Sequence, residues 1–369
     1  MITESVVENF KKEVKVQTLP NVLEGISTKT VETNRIKMHV HLSSKERGEP
    51  VIFIHGNFTG ATFWEETIVS LSNEFFGFAP DLRGYGLTED KNIDATRGAR
   101  DWSDDIHSLI QSLNLKQVHF VGWSIGGGIA MQYFIDYPEE VSTLTMICPV
   151  SPFGFGGTKD IDGTPCYDDF AGSGGGTVNI DFVRRIKEFD RRESDANSPR
   201  NVINNFYYKP PFRTKREEDF LSSALLEKVG EVKYPGDFVA SNNWPFVAPG
   251  EFGPINATSP KFFNTSSIIN MNHKVPMLWI RGSDDLIVSD NSFFDLGYLG
   301  KMGFIPNYPG EAMYPAQPMI SQTRKVMEKY KGKGGNYFEI VIKDTAHSPH
   351  IEKPEEFKKV LKDFIKSNI

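Results

Sequence analysis

The sequence predicts an α/β protein with a mostly parallel central sheet flanked by helices and one inserted, mainly helical cap. Three observations predict it. Short apolar runs alternate with helical periodicity over residues 51–148 and again over 275–366. A long segment rich in glycine, proline and aromatics separates these two stretches and breaks their rhythm. The chain, at 369 residues, is longer than most single domains, as a large core carrying an insertion would be.

The elements follow in order. Val51-Ile52-Phe53-Ile54 reads as a short strand, and Ala61 to about Leu71 as a helix. Phe75 to Ala79 reads as a strand. Asp101 to Leu113 reads as a helix with Ile106, Leu109, Ile110 and Leu113 on one face. Gln117 to Val121 is a buried strand, after which Ile125, Ile129, Ala130, Met131 and Phe134 recur at helical spacing. Val141 to Cys148 is the next strand. From Ser151 to Asn272 the chain carries G-F-G-G and Y-Y-K-P-P-F, with helical pieces from Asp181 to Phe189 and from Lys215 to Val229. Too many apolar residues lie there for a linker. Residues 151–272 are therefore expected to fold as a cap, on a core built from residues 1–150 and 273–369. Alternation resumes with a strand from Val275 to Ile280, a helix from about Ile320 to Tyr330, a strand from Tyr337 to Ile342 and a last helix from Pro354.

Composition narrows the function classes. A hydrophobic content of 39% and a charged content of 24% describe an ordinary globular chain. The net charge of -7 and the absence of a basic tract argue against a nucleic-acid partner. The lysines near the C-terminus are interleaved with acids, as on a solvated helix face. Two cysteines, one of them in an apolar run, give no disulfide framework. The opening stretch M-I-T-E-S-V-V-E-N-F-K-K lacks the layout of a signal peptide, and no run approaches membrane-spanning length. A cytoplasmic protein without a membrane partner is expected; the oligomeric state is not legible.

The chemistry concentrates at V-G-W-S-I-G-G-G, residues 121–128. Ser124 stands where a strand turns sharply into a helix. Such a corner lifts the side chain clear and aims the N–H groups of a helix start toward developing negative charge. Small residues must flank it, and Gly122 and Gly126 give G-x-S-x-G, while Gly127 and Gly128 allow close packing of the helix on the sheet. The alternative is a plain N-cap serine after a glycine turn. Two further sites weigh against that. R-G-S-D-D-L-I-V puts Asp284 and Asp285 just beyond one strand, and K-D-T-A-H-S-P-H-I-E-K-P puts His347 just beyond another. Ligand sites of open α/β sheets lie outside these strand ends, so the three positions are expected to converge. A serine, an acid and a histidine together make a nucleophile, an orienting anion and a base.

These pieces resemble the α/β-hydrolase superfamily, in the capped, esterase-like branch of serine hydrolases. The resemblance is carried by H-G-N at His55, P-D-L-R-G-Y-G-L at Pro80, G-W-S-I-G-G at Gly122, R-G-S-D-D-L-I-V at Arg281 and A-H-S-P-H-I-E-K-P-E-E-F at Ala346. It covers the core at both ends and not the cap. It implies Ser124 as nucleophile, His347 as base and Asp285 as the acid, since the family places the acid three residues after the glycine at position 282. It also implies an oxyanion hole from the backbone N–H groups of Asn57 and Ile125, and structural roles for His55, Asp81 and Arg83.

Three rivals are weighed within this frame. His350 competes with His347 but lies nearer the last helix, where packing is the commoner role. H-x-x-H-x-E at His347 has a proline inside its spacing and no third histidine nearby, so no metal is expected. Dehalogenases and epoxide hydrolases of the family use an aspartate nucleophile, which position 124 does not supply. The expected function is hydrolysis of a carboxylic ester or lactone of modest size, without a cofactor, on a small-molecule substrate with apolar groups. The aromatics of N-N-F-Y-Y-K-P-P-F and S-F-F-D-L-G-Y-L-G-K-M-G-F-I-P are expected near the strand ends. A carbon–carbon bond hydrolase or acyltransferase with the same triad, and a ligand receptor on the same fold, are the alternatives.

Overall fold

The computed structural model describes residues 17–369. The opening stretch read above for a signal peptide lies outside them. Eight strands form the main sheet in the order β1-β2-β4-β3-β5-β6-β9-β10. These are β1 (Ile26–Glu32), β2 (Lys37–Ser43), β3 (Glu49–Ile54), β4 (Phe75–Pro80), β5 (Val118–Trp123), β6 (Val141–Ile147), β9 (Pro276–Gly282) and β10 (Asn336–Ile342). From β4 to β10 every pairing is parallel, while β1 and β2 add an antiparallel edge.

The central strands read as continuous apolar runs because helices cover both faces. Side chains alternate across the pleat: Ile52, Ile54 and Phe120 join one core, Val51, Phe53 and Val121 the other. The helices are Glu65–Leu71, Arg100–Ser112, Ile125–Asp136, Met319–Gly332 and Pro354–Lys366. All five agree with the sequence expectation to within a few residues, except that the first begins as a 3₁₀ turn over Ala61–Trp64. The edge strands β1 and β2 were not anticipated. In β1 only Ile26 and Val31 are shielded, so its pattern carries no apolar run to recognise.

The insertion between β6 and β9 holds the helices Ile180–Lys187 and Glu217–Ala224, a π-helical turn Ile203–Tyr207 and a small hairpin of β7 (Phe238–Ala240) and β8 (Val247–Pro249). The second helix is shorter than its pattern suggests, because Leu225 and Leu226 continue the apolar run as buried turn residues. Among the described residues, no helix is long and apolar enough to cross a membrane.

Candidate active site

Four parallel strands end at one rim. β3 leads into His55-Gly56-Asn57, β5 into Ser124, β9 into Asp285 and β10 into His347. The chain moves from β3 to β4 on one side and returns to β5 on the other. A crevice opens where the winding reverses.

Ser124 occupies the corner with φ 59° and ψ −121°, a left-handed conformation that a non-glycine residue adopts only when its surroundings impose it. The surroundings are backbone. A Cβ at Gly122 would stand 2.2 Å from the Gly126 carbonyl oxygen, and one at Gly126 would stand 2.4 Å from the Ile54 oxygen. A Cβ at Gly127 would stand 2.7 Å from Pro149, just beyond β6, and 3.2 Å from the Gly122 oxygen of β5, and one at Gly128 would stand 2.4 Å from Val150. The serine's N–H donates to the Ile147 oxygen at 2.9 Å, and its own carbonyl accepts from Gly127 and Val150. Ser124 stands at the N-cap position of the helix Ile125–Asp136, but its side chain makes no capping hydrogen bond. The hydroxyl lines a cavity instead.

The structure brings Asp285 and His347 together. His347 Nδ1 lies 2.8 Å from Asp285 Oδ2, with both side chains almost completely buried. Asp285 Oδ1 accepts the N–H groups of Ile287 and Val288 at 2.8 and 3.1 Å, which fixes the carboxylate in one orientation. Asp284 points the other way, to the Lys209 ammonium at 3.0 Å near the surface. Adjacent residues leaving a strand diverge, and here only the second reaches the histidine. Trp123, the residue before the serine, donates its indole N–H to the His347 carbonyl at 2.7 Å. That bond ties the end of β5 to the histidine loop.

Asn57 and Ile125 both line the same cavity as Ser124. Ile125 opens the helix, where backbone N–H groups have no intrahelical partner. Asn57 is held by groups that sequence reasoning missed. Tyr85 donates to its side-chain oxygen at 2.9 Å, and Tyr207, from the insertion, donates to its carbonyl at 2.8 Å. Glu227 is buried beside Tyr85, Tyr207 and Tyr234. Burial pushes its carboxyl well above the usual range, which keeps it neutral. No pattern in the sequence marks these contacts, since their partners lie far apart along the chain.

The cavity measures about 320 Å³. Its wall includes Phe206 and Tyr207 from the insertion and Phe293, Phe294, Leu296 and Leu299 from the loop after Asp285. Both aromatic stretches singled out in the sequence thus reach the strand ends. Among the described residues, no charged side chain lines it.

The neighbouring groups are structural or screened. His55 accepts from the Leu82 N–H at 3.0 Å through Nε2 and meets the Gly56 oxygen at 2.8 Å through Nδ1. Arg83 grips Asp105 through two bonds of 2.7 and 2.8 Å. Asp81 accepts from the Ala61 and Leu87 N–H groups. His350 is stacked on Trp64 at 4.4 Å and faces Trp123 edge-on at 4.7 Å. Burial drives its pKa well down, so it stays a neutral packing residue.

Cys148, Asp285 and His347 present donor atoms all within 4.8 Å of one another. Burial, and then the Asp285 carboxylate, push the Cys148 thiol well above its usual value. With its proton on sulfur the thiol is a polar neighbour of the Asp285 carboxylate.

A parallel sheet of this order, with serine, acid and histidine at its strand ends, defines an α/β-hydrolase fold. Residues 49–172 match the family model described as the alpha/beta hydrolase fold, so over this segment the chain is similar to that family. A Mycobacterium tuberculosis protein of uncharacterized function is 30% identical over 115 residues, 31% of this chain and 32% of that one. The 2-hydroxymuconate semialdehyde hydrolase of Pseudomonas sp. strain CF600 is 31% identical over 113 residues, 30% of this chain and 40% of its own. The matches thus span only about a third to two fifths of the length of these relatives. Among solved structures, a putative aryl esterase from Burkholderia cenocepacia superposes with a TM-score of 0.58 at 17% identity, over 93% of this chain and 99% of that one. That likeness speaks for the fold.

Proposed function

We infer that the protein is a serine hydrolase that cleaves an uncharged carboxylic ester of modest size through an acyl-enzyme. The observation that carries this reading is the left-handed Ser124, whose side chain caps nothing and which lines a cavity at the same rim of the sheet as the His347–Asp285 pair. In this reading the imidazole takes the serine proton as Oγ attacks the ester carbonyl, and Asp285 steadies the imidazolium. The N–H groups of Asn57 and Ile125 receive the oxyanion. Collapse expels the alcohol, which leaves with the proton from His347. Water then attacks the acyl-enzyme with His347 again as base, and the acid departs. Residues 151–272 serve as the cap that shields this step from bulk water.

The uncharged lining favours an ester over the carbon–carbon alternative. The substrate named for the Pseudomonas relative is a muconate semialdehyde, whose carboxylate would find no cationic partner among the described residues of this cavity. The test is a panel of neutral and charged acyl esters, lactones and amides, run with a serine-directed phosphonate and peptide mapping. Ester turnover with label on Ser124 is expected, with neutral apolar esters preferred at least ~10-fold over charged ones of equal size. Label on another serine, or tight ligand binding without turnover, defeats the reading, the latter in favour of a receptor.

A further inference from the structure

We propose that residues 203–209 of the cap are a positioning element that seats the oxyanion, acid and histidine loops together, with the Tyr207 hydroxyl holding the Asn57 peptide. The inference rests on the hydrolase reading for its chemistry, and on contacts alone for its geometry.

The segment begins with the π-helical turn Ile203–Tyr207, a wide turn that re-aims the side chains following it. It turns Tyr207 inward. The phenol donates to the Asn57 carbonyl at 2.8 Å, and the ring stands edge-on to His347 at 5.7 Å and to Trp123 at 5.8 Å. Two residues on, the Lys209 N–H donates to Glu352 Oε2 at 2.7 Å. The other oxygen of Glu352 accepts the N–H of Ala346, the residue before His347, at 2.8 Å. The Lys209 ammonium reaches Asp284 at 3.0 Å and Asp344 at 3.3 Å. One short stretch of the insertion therefore touches all three loops.

The Asn57 contact matters most, because the residue after it is strained. Phe58 has φ 51°, a conformation that β-carbon sterics disfavour. A peptide between Asn57 and such a residue gains by rotating unless its carbonyl is held. Rotation there changes ψ of Asn57 and φ of Phe58 and loosens the turn that carries the Asn57 N–H assigned above to the oxyanion. The Tyr207 hydroxyl opposes this from the cap side, while Tyr85 pins the Asn57 side chain from the core side. The lysine ion pairs are partly exposed and contribute little. Tyr207 acts through Asn57, so it is a positioning residue.

The experiment compares Tyr207→Phe with Lys233→Ala in the full chain. The phenylalanine keeps the ring contacts and loses the hydroxyl. Lys233 pairs with Asp90 across the same cap–core boundary but touches none of the three loops. Amide hydrogen exchange is measured by mass spectrometry, and steady-state kinetics follow on an ester the wild type turns over. Tyr207→Phe is expected to speed exchange over residues 56–61 by ~10-fold and to lower kcat by ~10-fold with KM within twofold. That is less than deletion of an oxyanion donor, which costs ~100-fold or more. Lys233→Ala is expected to change neither. Unchanged exchange over 56–61 in Tyr207→Phe, or equal loosening of the cap in both variants, overturns the proposal. A wild type that turns over no ester, with the exchange difference present, defeats the hydrolase reading and leaves the positioning role standing.

Discussion

The corner at Ser124 and the wall of the cavity are built in opposite ways. The corner is mostly local: residues 121–128, the end of β3 and the end of β6 with the residues just after it supply most of its constraints, and backbone atoms stand where side chains at Gly122 or Gly126 would go. The wall is assembled from a distance, from the insertion near residue 206 and the loop near residue 294, which meet where Phe206 and Phe294 stand edge-on at 5.1 Å. One region leaves no freedom to the reacting group. The other admits changes of shape without touching it. In the proposed reading the reacting group belongs to the corner and most of the selectivity to the wall, with Tyr207 shared between them, and substitutions away from Tyr207 should separate the two.

The largest effect belongs to the corner. Ser124→Ala should lower ester turnover by ~10⁴-fold or more and abolish phosphonate labelling, with thermal stability nearly unchanged. Turnover within tenfold of wild type would place the nucleophile elsewhere.

Next comes the pair of neighbouring aspartates. Asp285→Asn should cost ~10³- to 10⁴-fold in kcat, because the imidazole loses the anion that sets its tautomer. Asp284→Asn should cost no more than ~3-fold, since its partner is a surface lysine. Steady-state kinetics on both variants decide the point, and a reversed order would break the register assigned here.

The wall predicts a different signature. Phe294→Ala removes part of the apolar lining and its edge contact with Phe206, and should raise KM for an apolar ester by ~10-fold with kcat within threefold. A fall in kcat of the same size as the rise in KM would mean that wall and corner are not separable.

The smallest effect is on stability. Burial pushes the Asp295 carboxyl up to about 6, against hydrogen bonds from nearby N–H groups, while its unfolded value is ~3.9. Between these values the native state keeps a proton that the unfolded chain has released. Its contribution to stability is therefore full below about pH 4, falls as pH rises to about 6, and is flat beyond. Asp295→Asn keeps an acceptor for the Tyr298 N–H. It should stabilise the protein relative to wild type by up to ~3 kcal/mol at pH 7 and by almost nothing at pH 4. Denaturant titrations at the two pH values measure the difference; equal effects at both would show that the carboxyl is not titrating there.

The division between what was legible and what was not follows the same line as the comparison. Alternating apolar runs place β3 to β6, β9 and β10 and the helices between them, because strand and helix periods are properties of consecutive residues. The glycines around Ser124 are legible for a related reason: a crowded backbone leaves a mark on the residue types it tolerates. The choice of Asp285 over Asp284 is what the family resemblance implies, and the structure puts that side chain against His347. What tertiary structure alone decides has no such period. The edge strand β1 hides in mostly exposed polar sequence, and the insertion's hairpin depends on partners it finds only once folded. The Tyr207 bond to Asn57 joins residues 150 positions apart, and Glu227 becomes a neutral acid only because other elements bury it. By itself the sequence determined where backbone is constrained by its immediate neighbours; folding determined which distant side chains share a low-dielectric space, since burial and contact belong to the whole chain and not to any window of it.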